Sequence, residues 1–230
     1  MDKIEKVRSI SLWVFIIPFI ALNACLILVT KFHGLFPNQE HIIHNTIPYI
    51  DGQVSISRTA RVFPTYLIFK PAMFLTSYLL IKYWLYTKEI ILFFNKNNKN
   101  IKYITFFGIG SAILLTLHSV FLGIKFDNEL YKLFRKSVML FFIIFEIVAQ
   151  AYLVMTYYSF KNHLLKFINQ NFLKMKLILV LILVLVALIS IPIVAMPGNK
   201  FLKHALEWDY FIGVISFYLL TFFMWKNKNQ

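Results

Sequence analysis

Glu146 and Gln150 sit four residues apart in an otherwise apolar run, FFIIFEIVAQ. On a helix that spacing puts the two side chains one turn apart on one face, close enough to hydrogen-bond. A carboxyl group in apolar surroundings is costly unless it is paired or protonated. The pair is therefore either a functional group or a protonated carboxyl that clamps helices together. His204 and Glu207, in KHALEWDYF, are three apart and share a helix face. A histidine–carboxylate pair suits general acid–base catalysis or metal binding, and the plainer reading is ordinary polarity at a membrane surface. His118 falls at a similar depth in another apolar run. Arg58, Arg61 and Lys70 supply guanidinium forks and an ammonium group, the donors that suit a phosphate. Arg58 and Arg61 lie in a stretch rich in hydroxyl side chains that also holds Asp51. His41 and His44 are also three apart, in a loop where that spacing sets no common face.

The elements that must position these groups are apolar runs. Of 230 residues 59% are hydrophobic and 18% aromatic, with mean hydropathy +0.69, against about 45–50% apolar in a soluble domain. Runs at about 10–29, 63–86, 103–124, 137–158, 177–196 and 206–225 approach the ~20 residues that span a bilayer. The fold class expected is all-α, a single polytopic bundle of six transmembrane helices with a long first extracytoplasmic loop. Tyr83, Trp84 and Tyr86 read as an aromatic belt ending the second span. Gly108, Gly110 and Ser111 give the third a small-residue face for close packing. Lys88–Lys102, with its NKNNKN tract, reads as a solvated turn.

The net charge of +14 is spread as lysine clusters between apolar runs, the pattern of loops facing anionic headgroups. It forms no basic stripe with interleaved aromatics, so nucleic-acid binding is excluded as a reading. Six spans put both termini on one side, where Lys and Arg number thirteen against nine on the other. That excess places the termini in the cytoplasm. One cysteine, Cys25, excludes an intramolecular disulfide and any multi-cysteine metal site and reads as a buried span residue. No Gly-rich phosphate loop, G-x-S-x-G or H-E-x-x-H is present, and neither a cofactor nor a bound metal is expected.

Two stretches resemble one family. IPYIDGQVSISRTARVFPTYLIFKP is similar to the first-loop-to-second-span region of six-span DRAM/Sfk-type proteins, which include relatives that remodel GPI-anchor lipids. Pro48, Ser57, Pro64, Phe69 and Lys70 stand at matching places. HALEWDYFIGVISFYLLTFF resembles the family's closing helix, with Glu207 as its opening glutamate. The match covers about a quarter of the chain. Relatives often carry a histidine between spans 3 and 4, where this chain reads FDNELYKLFRK. The resemblance implies a lipid-related role at the outer or lumenal face.

The function expected is binding or remodelling of a phospholipid or glycolipid headgroup at the non-cytoplasmic face. Arg58, Arg61 and Lys70 would bind the headgroup, Glu207 and His204 would be the catalytic pair, and Glu146, Gln150 and His118 would be buried polar groups. The alternatives are a non-catalytic membrane scaffold or regulator and a proton-coupled small-molecule carrier using Glu146. Membrane lipids are the partners expected, with room for a membrane-protein partner or a second copy of the chain.

Overall fold

The computed structural model describes residues 2–36, 38, 41–43, 46–124, 128–196 and 198–226. His44, the first two residues of FDNELYKLFRK and the tail beyond 226 lie outside the described residues. Among those described there is no strand, only an isolated antiparallel bridge between Ile168 and Trp225.

Six long helices carry the fold: α1 (Asp2–Lys31), α4 (Tyr66–Phe94), α5 (Ile101–Phe121), α6 (Glu129–Ser159), α8 (Gln170–Ala195) and α9 (Lys200–Met224). Short helices α2 (Pro48–Asp51) and α3 (Ile56–Ala60) lie between α1 and α4, and α7 (Lys161–Leu164) follows α6. The long helices pack as a closed ring, α1 on α4, α4 on α5, α5 on α6, α6 on α8, α8 on α9 and α9 back on α1.

The ring has an apolar core like a soluble bundle, but an apolar exterior as well. Its outward faces carry Ile20, Phe106, Leu185, Leu188 and Ile189, while Ser11, Ser77, Ser111, Glu146, Gln150, Lys176 and Thr221 are buried within it. An apolar exterior of this extent suits an apolar solvent. Five of the helices, α1, α5, α6, α8 over Gln170–Ser190, and α9, are long and apolar enough to cross a membrane. The chain is thus all-helical and consistent with a multi-pass membrane protein. α4 has comparable length at 29 residues, but Lys70, Lys82, Lys88 and Glu89 dilute its apolar character.

Most helices outrun the apolar segments that announce them. α6 begins at Glu129 rather than near 137 because Asn128 caps it, accepting from Leu130 N–H at 2.9 Å. α8 begins at Gln170, inside the basic connector 161–176 that precedes the fifth apolar run, with Asn169 accepting from Asn171 N–H at 3.0 Å. α4 continues to Phe94, so Tyr83 and Trp84 do not form an interfacial belt. Both are fully buried and stack edge-on with each other at 5.0 Å, and Tyr83 meets Tyr218 edge-on at 4.9 Å. The expected small-residue face of α5 does bring helices close. A Cβ on Gly108 would run into the Trp84 ring, so α4 and α5 meet there only because the side chain is absent.

Candidate functional site

Glu146 lies at the centre of the ring and joins three helices. Its Oε2 lies 2.6 Å from Ser111 Oγ on α5. Its Oε1 accepts from Gln150 Nε2 on α6 at 3.0 Å and from the Tyr218 hydroxyl on α9. Two of these donors have a second outlet: Ser111 Oγ is 2.8 Å from Gly108 O, and Gln150 Nε2 is 3.2 Å from Val214 O. The carboxyl group therefore closes a hydrogen-bond network in which every donor is aimed at an acceptor.

Above it is a narrow cavity of about 70 Å³ between α1, α4, α5, α6 and α9. One water needs roughly 10–15 Å³, so the space holds a few waters or a short alkyl segment. Its walls are apolar, including Leu22, Met73, Phe142 and Phe211. The polar groups entering it include Glu146, Glu207, His118 and Tyr218. Beside it at the α3 end is a wider cleft of about 460 Å³, lined by Ser57, His118, Lys132, Arg135, Lys136, Met139 and Glu207 among others. His118, Met139, Ile143 and Glu207 line both spaces.

The segment that roofs this end is pinned to α9. His204 Nδ1 is 2.9 Å from Gly52 O, and Trp208 Nε1–H donates to Val54 O at 2.9 Å. Tyr49 packs edge-on against Trp208 at 4.9 Å and donates to Asn23 Oδ1 at 3.1 Å. The Glu207 carboxyl group faces the backbone N–H groups of Ile56 and Ser57 at the start of α3. Gly52, with φ 59°, allows this docking, since a Cβ there would strike Phe201 O. His204 and Glu207 are thus neighbours on α9 engaged with different backbone groups. Glu207 faces the cavity together with His118, and His204 holds the roof.

The phosphate candidates separate in the same way. Lys70 Nζ donates to Val120 O at 3.3 Å, near the end of α5, and is 6.0 Å from the Tyr66 ring. A cation at a helix C-terminus is favourably placed, and Lys70 does not line the cleft. Arg58 and Arg61 belong to α3 and the residue after it, beside Ser57. Partial enclosure, then the guanidiniums of Arg135 and Arg58, lower the pKa of Arg61. Such crowding marks a place where an anion would relieve repulsion. Arg135 lies 5.9 Å from the Tyr131 ring, and Lys132 pairs with Glu129 at 2.7 Å. The sequence reading left Lys132, Arg135 and Lys136 as loop charges. Their spacing with Met139 is helical, and extending the period of the fourth apolar run backward would have put them on one face.

Asp51 has a local role. Its carboxylate accepts from Thr46 Oγ1 at 2.7 Å, Ile47 N–H at 2.9 Å and Gln53 N–H at 3.0 Å. Partial burial raises its pKa, but the bonds from Gln53, Thr46 and Ile47 outweigh this and hold it below the ordinary 3.8. A depressed folded pKa stabilises above the unfolded value and ceases to do so as pH falls through the folded one. The turn is therefore expected to be intact at neutral pH and to loosen only below 3.8. Amide exchange of Ile47 and Gln53, corrected for its intrinsic pH dependence, should rise there in wild type. In Asp51→Asn it should be raised at every pH.

No family model, curated protein or solved structure matches the chain.

Proposed function

We propose that the chain binds an anionic amphiphile, a phospholipid or glycolipid with its phosphate in the basic cleft and the start of its alkyl chain in the apolar cavity. The carrying observation is that His118, Met139, Ile143 and Glu207 line both spaces, so that the basic cleft and the apolar cavity lie side by side. One side of that junction offers Arg135, Lys136 and the nearby Arg61, and the other offers hydrocarbon. Guanidinium and ammonium groups recognise phosphate by charge-assisted hydrogen bonds, and the apolar slot favours a methylene chain. The resemblance to DRAM/Sfk-type lipid proteins points the same way. If the bound lipid is also altered chemically, Glu207 and His118 are the acid–base groups at the junction, in place of Glu207 and His204.

In this reading α4 is a sixth crossing. It fills the gap between α1 and α5 that closes the ring. Lys70 and Lys88 lie near its two ends, where long cationic side chains reach the interface. The cleft then opens on the face opposite the termini, with the termini in the cytoplasm on the excess of Lys and Arg there.

The test uses the purified full chain in vesicles containing an anionic phospholipid with a photoactivatable group along its acyl tail. Labelling is expected at cavity residues such as Met139, Phe142 and Phe211. Arg135→Glu with Lys136→Glu should reduce it at least tenfold, about 1.4 kcal/mol of binding. Labelling confined to outward-facing residues, or unchanged by the double substitution, would remove the proposal.

A further inference from the structure

The end of the bundle that carries Lys3 and Lys226 has its own concave basic surface, distant along the helices from the cleft described above. It lies between the end of α4 and the start of α5, measures about 570 Å³, and is lined by Lys88, Leu92, Lys96, Asn98, Lys99, Ile101, Lys102, Thr105 and Phe106. The sequence reads this stretch as a solvated turn, but the structure gives it a defined form. Asn95 Oδ1 accepts from Asn97 N–H at 3.2 Å, and Asn98 Oδ1 from Asn100 N–H at 2.9 Å. Asn100 Nδ2 reaches across to Thr156 Oγ1 on α6 at 3.1 Å.

Three features of the cleft suit an anion. The four lysines enter none of the ion pairs among the described residues, and the acid beside them, Glu89, is turned to Lys3 at 2.7 Å. The start of α5 receives no side-chain cap from Asn100, and although Ile101 N–H reaches Asn98 O at 3.4 Å, the next N–H groups of its first turn lack a helical acceptor. Thr105, one turn on, has a hydroxyl with no hydrogen-bond partner among the described residues. A buried polar atom without a partner calls for an explanation such as an absent ligand. The rim is apolar: Phe106 is 62% exposed and Phe93, beside Leu92, is 80% exposed, which keeps the cleft against hydrocarbon. A soluble phosphate site has no use for such a rim.

The geometry points to a second binding site here, for an anionic lipid of the leaflet on the termini side whose headgroup carries phosphate monoesters. The lysines and the open helix end hold the phosphates, and the lipid's chains lie along Leu92 and Phe106. Basic pockets between transmembrane helices are a recurrent way of holding such headgroups. The inference takes from the proposed function only the reading of α4 as a crossing, since the two sites share no residue.

The decisive experiment is native mass spectrometry of the full chain in detergent, titrated separately with short-chain phosphatidylinositol bisphosphate, short-chain phosphatidylcholine and inositol trisphosphate. The bisphosphate lipid is expected to bind most tightly. Lys96→Gln, Lys99→Gln and Lys102→Gln together, all at exposed positions, should weaken it at least tenfold without changing the unfolding temperature. Arg135→Glu with Lys136→Glu at the other cleft should leave it unchanged, which separates failure of this site from failure of that one. Equal affinity in the triple variant and wild type would overturn the proposal. Equal binding of the lipid and of inositol trisphosphate would overturn the lipid assignment in favour of a soluble phosphate ligand.

Discussion

Replacing Glu146 with alanine is expected to destabilise the chain by about 3–5 kcal/mol, the range for breaking a buried hydrogen-bond network and leaving a hole. Glutamine at the same position should cost about 1 kcal/mol, the scale of a single exchanged hydrogen bond. The difference follows from where each donor can turn. With alanine, Ser111 keeps Gly108 O and Gln150 keeps Val214 O, but the fully buried Tyr218 hydroxyl loses the only acceptor it has among the described residues. With glutamine, Tyr218 keeps the amide oxygen, and Ser111 can direct its proton to Gly108 O while accepting from the amide. Thermal unfolding in one detergent measures both. Tyr218→Phe should recover part of the alanine loss, because it deletes the orphaned hydroxyl, and the double-mutant cycle isolates that coupling. If glutamine proves as damaging as alanine, the cluster requires the carboxyl group itself and not merely an acceptor for Tyr218.

That cluster also shows how far the sequence could be read. Glu146 and Gln150 were legible as a pair because helical spacing is local, and Gly108 with Ser111 marked a close-packed face for the same reason. Tyr218 was invisible, since an aromatic in ISFYLLTFF says nothing about a carboxylate 72 residues away. The roof failed in a complementary way. His204 and Glu207 share a helix face as their spacing requires, but that face meets two different backbone segments, at Gly52 and at Ile56–Ser57. Periodicity fixes which side chains are neighbours, not what comes to meet them. Helix starts were misplaced where polar residues extend an apolar run, as at Glu129 and Gln170, because a cap terminates a helix and a change in hydropathy does not.

Lys176→Met is expected to raise the unfolding temperature by several degrees. The sequence places Lys176 among connector charges, but the residue is fully buried on α8. Its ammonium donates to Thr221 Oγ1 at 2.7 Å and lies 3.8 Å from the Phe217 ring centroid, with no carboxylate among its contacts. Thr221 in turn donates to Phe217 O at 2.8 Å and lies 3.5 Å from the Tyr83 hydroxyl. An amino group here must either keep an ammonium's charge out of water or give up its proton, and one hydroxyl with an aromatic face compensates poorly for either. Methionine has nearly the same length, keeps the packing against Phe217, and carries no charge to desolvate. Exchanges of buried charge for apolar volume commonly gain about 1–4 kcal/mol. Lys176→Ala is the control for packing. It removes the charge but opens a hole, and should come out below Lys176→Met. A fall in stability with methionine would mean that the bond to Thr221 holds α8 on α9. A rise in stability accompanied by loss of lipid labelling would mean that the amine is kept at a cost because it works. The buried hydroxyls of Thr221 and Tyr83, continuing toward Tyr218 and Glu146, are where that work would be sought.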